Sequence, residues 1–267
     1  MMKLTMLGTG HAVVTECYNT CFVLHEDSEY FLVDGGGGSG ILRQLKHAGI
    51  DWRDVKNIFV THKHVDHLLG IVWLLRLILQ NMQQENYEGD VKIYAHTELI
   101  EIIKTLATTL LRDTHVAHIG ERVKLIAVDD GEECEILGHK IVFFDTTSTK
   151  TKQFGFSLYL DDKNKLTCFG DEPYHEYESK YATGSKWLMH EAFCLDSQAD
   201  IFKPYEKTHS TAKDASEVAE QLGVKNLILY HTEDSDLVNR KELYIKEGRK
   251  YFSGNIYVPD DLESIEL

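Results

Sequence analysis

The chain has 267 residues, 43% of them hydrophobic, enough to bury the core of one large domain or two small ones. Its 28 Lys and Arg against 43 Asp and Glu give a formal charge of −15, which excludes coating of nucleic acid by bulk electrostatics and leaves room for RNA held at a local basic patch. The five cysteines, Cys17, Cys21, Cys134, Cys168 and Cys194, are odd in number, form no C-x-x-C pair and follow no signal peptide, so reduced thiols in a cytoplasmic protein are expected.

Strand-like runs open the chain at Lys3–Leu7, Thr20–His25 and Tyr30–Val33. Asp34 and four glycines, Gly35 to Gly38, come next, then a helix over about Gly40 to His47 and a strand at Asn57–Val60. A helix is expected from about Gly70 to Gln84. Its apolar stretch Ile71–Leu79 is too short to cross a bilayer and contains Arg76, so no membrane association is expected. Apolar residues on nearly all sides of that helix call for cover, from the core or from the second subunit of a homodimer.

A strand at Val91–Tyr94 precedes a helix over Thr97–Leu111, amphipathic through Leu99, Ile102, Ile103, Leu106 and Leu110. Strands follow at Lys124–Val128, Lys140–Phe144, Phe154–Leu160, Lys165–Phe169 and Lys186–Met189. After His209-Ser210-Thr211 a helix starts, with Thr211 as cap and Asp214 three residues on; it closes at Gly223, and a strand at Asn226–Tyr230 follows. Early strands in hairpin-like succession, then strands alternating with helices, predict mixed sheets covered by helices. No low-complexity linker divides the chain.

The densest chemistry lies in His62-Lys63-His64-Val65-Asp66-His67, directly behind the apolar run Asn57–Thr61. Three imidazoles and a carboxylate in so short a window are a ligand set for a divalent transition metal. His62 and His64 project to one side of an extended chain, while Asp66 and His67 lie beyond the bend, so one short loop could serve two neighbouring ions. A solvated histidine-rich loop is the plainer alternative. Asp34, Asp171, the pair His190-Glu191 and His231 each follow a predicted strand, and open α/β sheets gather their sites along such carboxyl edges. Taken singly, an Asp after a strand reads as a turn or cap. The tetraglycine is not followed by the Lys-Ser/Thr of a nucleotide-binding loop, and close backbone packing explains it better.

On these residues the chain resembles the metallo-β-lactamase superfamily, and within it the branch of ribonuclease Z, the tRNA 3′-processing endonuclease. Asp34-Gly35-Gly36-Gly37-Gly38 is similar to its first motif, Thr61 to His67 to its signature second motif, Gly170-Asp171-Glu172 to the bridging carboxylate and Leu229-Tyr230-His231-Thr232 to the last histidine. His190-Glu191-Ala192 and His209-Ser210-Thr211 resemble two further signatures of the ribonuclease Z branch. The resemblance implies an α/β fold, a four-layer αββα sandwich of two mixed sheets flanked by helices, with residues 1–267 as one hydrolase domain. It implies metal-dependent phosphodiester hydrolysis, in which a metal-bound hydroxide forms because the ion lowers the pKa of its water towards about 7. The implied metal ligands are His62, His64, Asp66, His67, Asp171 and His231. Asp34 supports them from behind, Asp66 also orients the water, and His209 held by Glu191 donates the proton to the leaving oxygen.

Two departures qualify this resemblance. Where the third motif would supply a histidine after Lys140–Phe144, the chain reads Asp145-Thr146-Thr147-Ser148-Thr149, with Thr147 in the ligand's register. One firm Zn²⁺ site and a second, weaker or absent, are therefore expected, with Mn²⁺ or Fe accepted as supply allows. The Gly/Pro- and Lys-rich arm that grips tRNA in ribonuclease Z is also missing; the only prolines are Pro173, Pro204 and Pro259. The substrate readings are precursor tRNA, or small phosphodiesters, lactones or thioesters; a degenerate binding protein with weakened catalysis is a third reading.

Overall fold

The computed structural model describes residues 1–267, which divide into two compact units. The first comprises Met1–Gly8, Tyr18–Asp129 and Asp261–Leu267. Its strands are β1 (Lys3–Gly8), β2 (Cys21–Glu26), β3 (Glu29–Val33), β4 (Val55–Phe59), β5 (Val91–Ala95), β6 (Val123–Ala127) and, from the end of the chain, β14 (Ser264–Glu266). They form one mixed sheet in the order β14-β1-β2-β3-β4-β5-β6, antiparallel from β14 to β3 and parallel from β3 to β6. Helices α1 (Gly40–His47), α2 (Val65–Gln83), α3 (Thr97–Leu110) and the single turn α4 (Asp113–Val116) belong to this unit. Leu32, Val55, Ile58 and Ile93 of the strands pack with Ile41, Ile71, Leu74, Leu75, Ile78 and Ile103 of the helices in one buried cluster.

The second unit comprises Thr9–Cys17 and Asp130–Asp260. Strands β7 (Glu133–Ile136), β8 (His139–Asp145), β9 (Phe154–Tyr159), β10 (Lys165–Cys168), β11 (Trp187–Glu191), β12 (Asn226–Tyr230) and β13 (Asn255–Tyr257) lie in the order β13-β12-β11-β10-β9-β8-β7. The sheet is antiparallel from β7 to β10 and parallel from β10 to β13. Two short helices, α5 (Ser179–Ala182) and α6 (Ala199–Phe202), accompany α7 (Ala212–Gln221) and α8 (Leu237–Gly248). Phe144, Phe169, Leu188, Leu227 and Leu229 of this sheet bury with Ala215, Ala219 and Tyr244 of the helices. Two mixed sheets flanked by helices are thus present, as predicted.

Helix α7 begins as its sequence foretells: Thr211 accepts from the Asp214 backbone N–H while the Asp214 carboxylate accepts from that of Thr211. Helix α2 departs from expectation. It starts at Val65, not Gly70, so Asp66 and His67 stand on its first turn rather than in a loop. At 19 residues it is long and apolar enough to span a membrane by length and composition, which corrects the reading of that segment as too short. Yet Leu68, Ile71, Leu74, Leu75, Ile78, Leu79 and Met82 all bury in the core of their own unit, as a core helix requires.

Candidate metal centre

In each unit, the polar residues singled out by the sequence stand at the carboxyl ends of parallel strands. In the first unit Asp34 follows β3 and His62 follows β4. Asp34 has φ +59°, a left-handed conformation costly for a residue with a Cβ and typical of functional sites. That turn aims its carboxylate back at the neighbouring strand end: Oδ1 accepts from the Thr61 backbone N–H at 2.8 Å and Oδ2 from the Thr61 hydroxyl at 2.8 Å. Asp34 Oδ2 also lies 2.7 Å from His67 Nδ1, which fixes the ring and turns Nε2 towards Asp66 Oδ2, 3.4 Å away. Thr61 Oγ1 reaches His62 Nδ1 at 2.9 Å, and His62 Nε2 is 2.9 Å from His64 Nδ1, so these two rings converge as predicted.

The glycines make this geometry possible by letting backbones touch. A Cβ on Gly35 would lie 2.5 Å from the Ile71 backbone nitrogen, and one on Gly70 only 1.7 Å from the Gly35 carbonyl oxygen. Gly35 N donates to His67 O and Gly70 N to Gly36 O, at 2.8 Å each. The first turn of α2 is thereby locked to the glycine loop behind Asp34.

Electrostatics ready this half for a cation. Burial alone would raise the Asp66 carboxyl, but the charge of His67, its hydrogen bond and the charge of His62 outweigh burial and hold it well below the ordinary range. Burial opposes a charged His67, yet the carboxylates of Asp66 and Asp34 prevail and hold its pKa well above that of an ordinary histidine.

In the second unit Asp171 follows β10 through Gly170 (φ +79°), Glu191 ends β11, and His231 follows β12 with φ +58°. His231 Nε2 is 3.6 Å from Asp171 Oδ2, and Asp171, His209 and His231 each offer one ligand atom within 4.8 Å of the others. Glu191 is fully buried and acts first as a backbone clamp, accepting from the N–H groups of Ser210 and Phe193. Its Oε2 stands 3.5 Å from His209 Nδ1, a looser pairing than the direct grip expected. His209 instead gains its orientation from Phe193, stacked on it at 4.9 Å between ring centres, a contact the sequence does not display. His190 turns away, donating through Nδ1 to Glu191 O, and burial pushes its pKa down.

Thr147 is exposed, has φ +56°, and donates its N–H to Asp145 Oδ1 at 2.8 Å. Neither residue takes the position of a ligand.

The donor sets suit a bound divalent ion: the imidazoles of His62 and His67 have their far nitrogens fixed by neighbours, and the Asp66 carboxylate is kept ionised, at strand ends or on the first turn of α2. Fold and donors define a metal-dependent hydrolase of the metallo-β-lactamase superfamily. Residues 2–251 match the family model described as Anti-Pycsar protein Apyc1, and the chain belongs to that family, within the branch that also holds ribonuclease Z. Ribonuclease Z of Methanothermobacter thermautotrophicus is 30% identical over 310 residues, covering 100% of this chain and 97% of the relative. Ribonuclease Z of Bacillus mycoides is 26% identical over 319 residues, covering 100% and 99%. Among solved structures, the metallo-β-lactamase fold protein YhfI of Bacillus subtilis superposes with a TM-score of 0.81 at 19% identity, covering 100% of this chain and 99% of that one. The short form of human tRNase Z gives 0.74 at 22% identity, covering 99% and 98%.

Proposed function

We propose that residues 1–267 act as one hydrolase domain that cleaves phosphodiester bonds at tRNA 3′ ends, with His62, His64, Asp66, His67, Asp171 and His231 as metal ligands. Zn²⁺ is the ion assigned, with Mn²⁺ or Fe as substitutes, because imidazole and carboxylate donors accept each of them. Such an ion supplies Lewis acidity and a water ionised near neutral pH. The chain's own residues do the rest. Asp66, held ionised, accepts a hydrogen bond from the attacking water and orients it, and His209, flat against Phe193, gives a proton to the leaving 3′ oxygen. Glu191 acts as a positioning residue by clamping the backbone at Phe193 and Ser210 on either side of that imidazole.

The observation that carries this reading is the support behind the donors: Asp34 holding Thr61 and His67 together, in a chain whose full length aligns with ribonuclease Z. The test is cleavage of a 3′-extended precursor tRNA with zinc or manganese, beside an Asp66→Ala control. A single cut at the 3′ side that disappears in the control supports the reading; an uncut precursor under either metal removes tRNA as substrate.

A second reading, hydrolysis of a small phosphodiester, is favoured by size. The alignment with the Methanothermobacter enzyme runs over 310 positions against 267 residues here, and no Gly/Pro- and Lys-rich segment is present in the sequence to grip a tRNA. Turnover of bis(p-nitrophenyl) phosphate by a protein that leaves precursor tRNA intact would select it.

Cytoplasmic action fits the five cysteines, all free thiols. A second copy of the chain is the partner assigned to the outer face of α2, where Trp73, 45% exposed, lines a groove with Leu69, Val72 and Leu110. Light scattering on wild type and Trp73→Lys reads this directly: a dimer mass that halves in the variant is expected, and a monomeric wild type ends the assignment.

A further inference from the structure

The second unit holds a cavity of about 250 Å³ lined by Tyr174, Tyr205, Thr208, His209, Ser210 and Asp214. His209 therefore belongs to two places at once. It offers a nitrogen within 4.8 Å of the ligand atoms of Asp171 and His231, and it also forms part of the cavity wall. Tyr174 stands three residues after Asp171, so one loop carries both the candidate ligand and a second piece of that wall. Both tyrosines are anchored. The Tyr174 ring packs on Phe169 at 5.6 Å between centres, and its hydroxyl donates to Glu176 Oε2 at 3.2 Å. Tyr205 donates to Asp214 Oδ2 at 2.9 Å, and the same oxygen accepts from the Thr211 hydroxyl at 2.7 Å. Yet Tyr205 is 59% exposed, so its tether presents an aromatic ring to solvent instead of burying it in the core. Such a ring loses little freedom when a planar group settles against it.

We propose that this cavity is a nucleoside subsite, which takes the base of the nucleotide whose 3′ oxygen leaves and stacks it against the tyrosine walls. Charge selects the occupant. Asp214 lies in the wall and no lysine or arginine does, so a phosphate is repelled there while a flat, uncharged ring is not. The phosphodiester then stays at the strand ends, and the base lies on the far side of His209. Reach points the same way, because the leaving oxygen must come within hydrogen-bond distance of its proton donor and the nucleoside bonded to that oxygen must lie beside the imidazole. Size limits the occupant to one base. The cavity is smaller than the roughly 300–1,000 Å³ of sites that enclose larger ligands, which leaves no room for a further length of strand. The inference rests on His209 serving the leaving oxygen, as proposed above. A nucleoside at an RNA end and one in a small nucleotide share this chemistry.

The experiment compares kcat/KM of the whole protein, with zinc supplied, on the dinucleotide ApA and on two versions of it that each lack one base. Removing the base from the nucleoside that leaves through its 3′ oxygen is expected to lower kcat/KM about 5–150-fold, the worth of one stacked base. Removing the other base should change it little. Tyr205→Ala is expected to shrink that asymmetry while melting as wild type does, because its ring is largely outside the core. The same two deletions placed at the cleavage site of precursor tRNA identify the source, since the substrate that shows the asymmetry is the one the subsite serves. Equal losses from the two deletions would overturn the subsite and leave the hydrolase standing. Failure to cleave any of these diesters would remove the proposed reaction, and binding then decides the subsite by itself. The fluorescence of 2-aminopurine riboside is expected to be quenched by the wild type and less so by Tyr205→Ala; a signal that the wild type leaves unchanged would overturn the assignment.

Discussion

Asp34 Oδ2 and His67 Nδ1 meet at 2.7 Å, and the same carboxylate holds Thr61 through its backbone and its hydroxyl. One residue in a left-handed conformation therefore fixes both the segment that follows β4 and how the first turn of α2 presents the His67 ring. Asp34→Ala is expected to weaken zinc binding by about 10–100-fold, the usual effect of removing a ligand's orienting partner. It should also lower the melting temperature, because three donors lose their acceptor. Asn at this position tolerates positive φ and still accepts, so Asp34→Asn should restore part of both losses. Zinc affinity unchanged in Asp34→Ala would show that His67 needs no brace.

The looseness between Glu191 and His209 makes separate predictions for the two. His209→Ala is expected to reduce kcat by about 10²–10⁴ with a small change in melting temperature, as loss of a proton donor does. Glu191→Ala strips the acceptor from two backbone N–H groups and should cost stability first, on the order of 1–3 kcal/mol per orphaned group. A double-mutant cycle on thermal stability should show little coupling between the pair at 3.5 Å. Strong coupling would mean the imidazole and carboxylate bond directly in solution.

Glu178 gives a pH test independent of catalysis. It is fully buried, with Oε2 accepting from the His175 N–H at 2.7 Å and Oε1 without a partner. Burial chiefly, with Glu172 and Asp145 adding to it, raises its carboxyl well above the ordinary value of 4.5. Because the folded-state pKa exceeds the unfolded one, the stabilisation is complete below about pH 4.5 and is lost as pH rises through the folded value. Glu178→Gln cannot ionise, so its melting temperature should fall less than that of wild type between pH 5 and pH 8. Parallel profiles would place the group outside the titrating set.

Metal removal should be visible in stability as well. An ion present at about a hundred times its Kd adds roughly 2.7 kcal/mol, so dialysis against EDTA is expected to lower the melting temperature and added zinc to restore it. A melting curve indifferent to chelator would argue against a resident ion.

Most of the strands were legible because their apolar runs are bounded by turn residues, and the candidate site residues were legible because they follow those runs. Three of the four edge strands were not, β6 being the exception. Glu133–Ile136 is only four residues long, with Glu at two of them, and pairs only with β8, while Asn255–Tyr257 and Ser264–Glu266 are three residues each at sheet margins. Helix α8 escaped because its buried face carries Arg240 and Glu247. Arg240 reaches Thr9, Thr232 and the Pro259 carbonyl, partners that only the fold brings near. For the same reason the stacking of Phe193 on His209 could not be read from spacing. The start of α2 was misplaced because Asp66 and His67 read as loop chemistry, although a helix's first turn also favours a carboxylate.

The contact between Gly35 and Gly70 has a practical consequence for anyone redesigning this protein. It works as a mechanical stop: the loop behind Asp34 and the start of α2 cannot slide past each other, so the spacing of Asp34, Asp66 and His67 is machined into the main chain rather than tuned by side chains. A single methyl group at either glycine would displace Asp66 and His67 together.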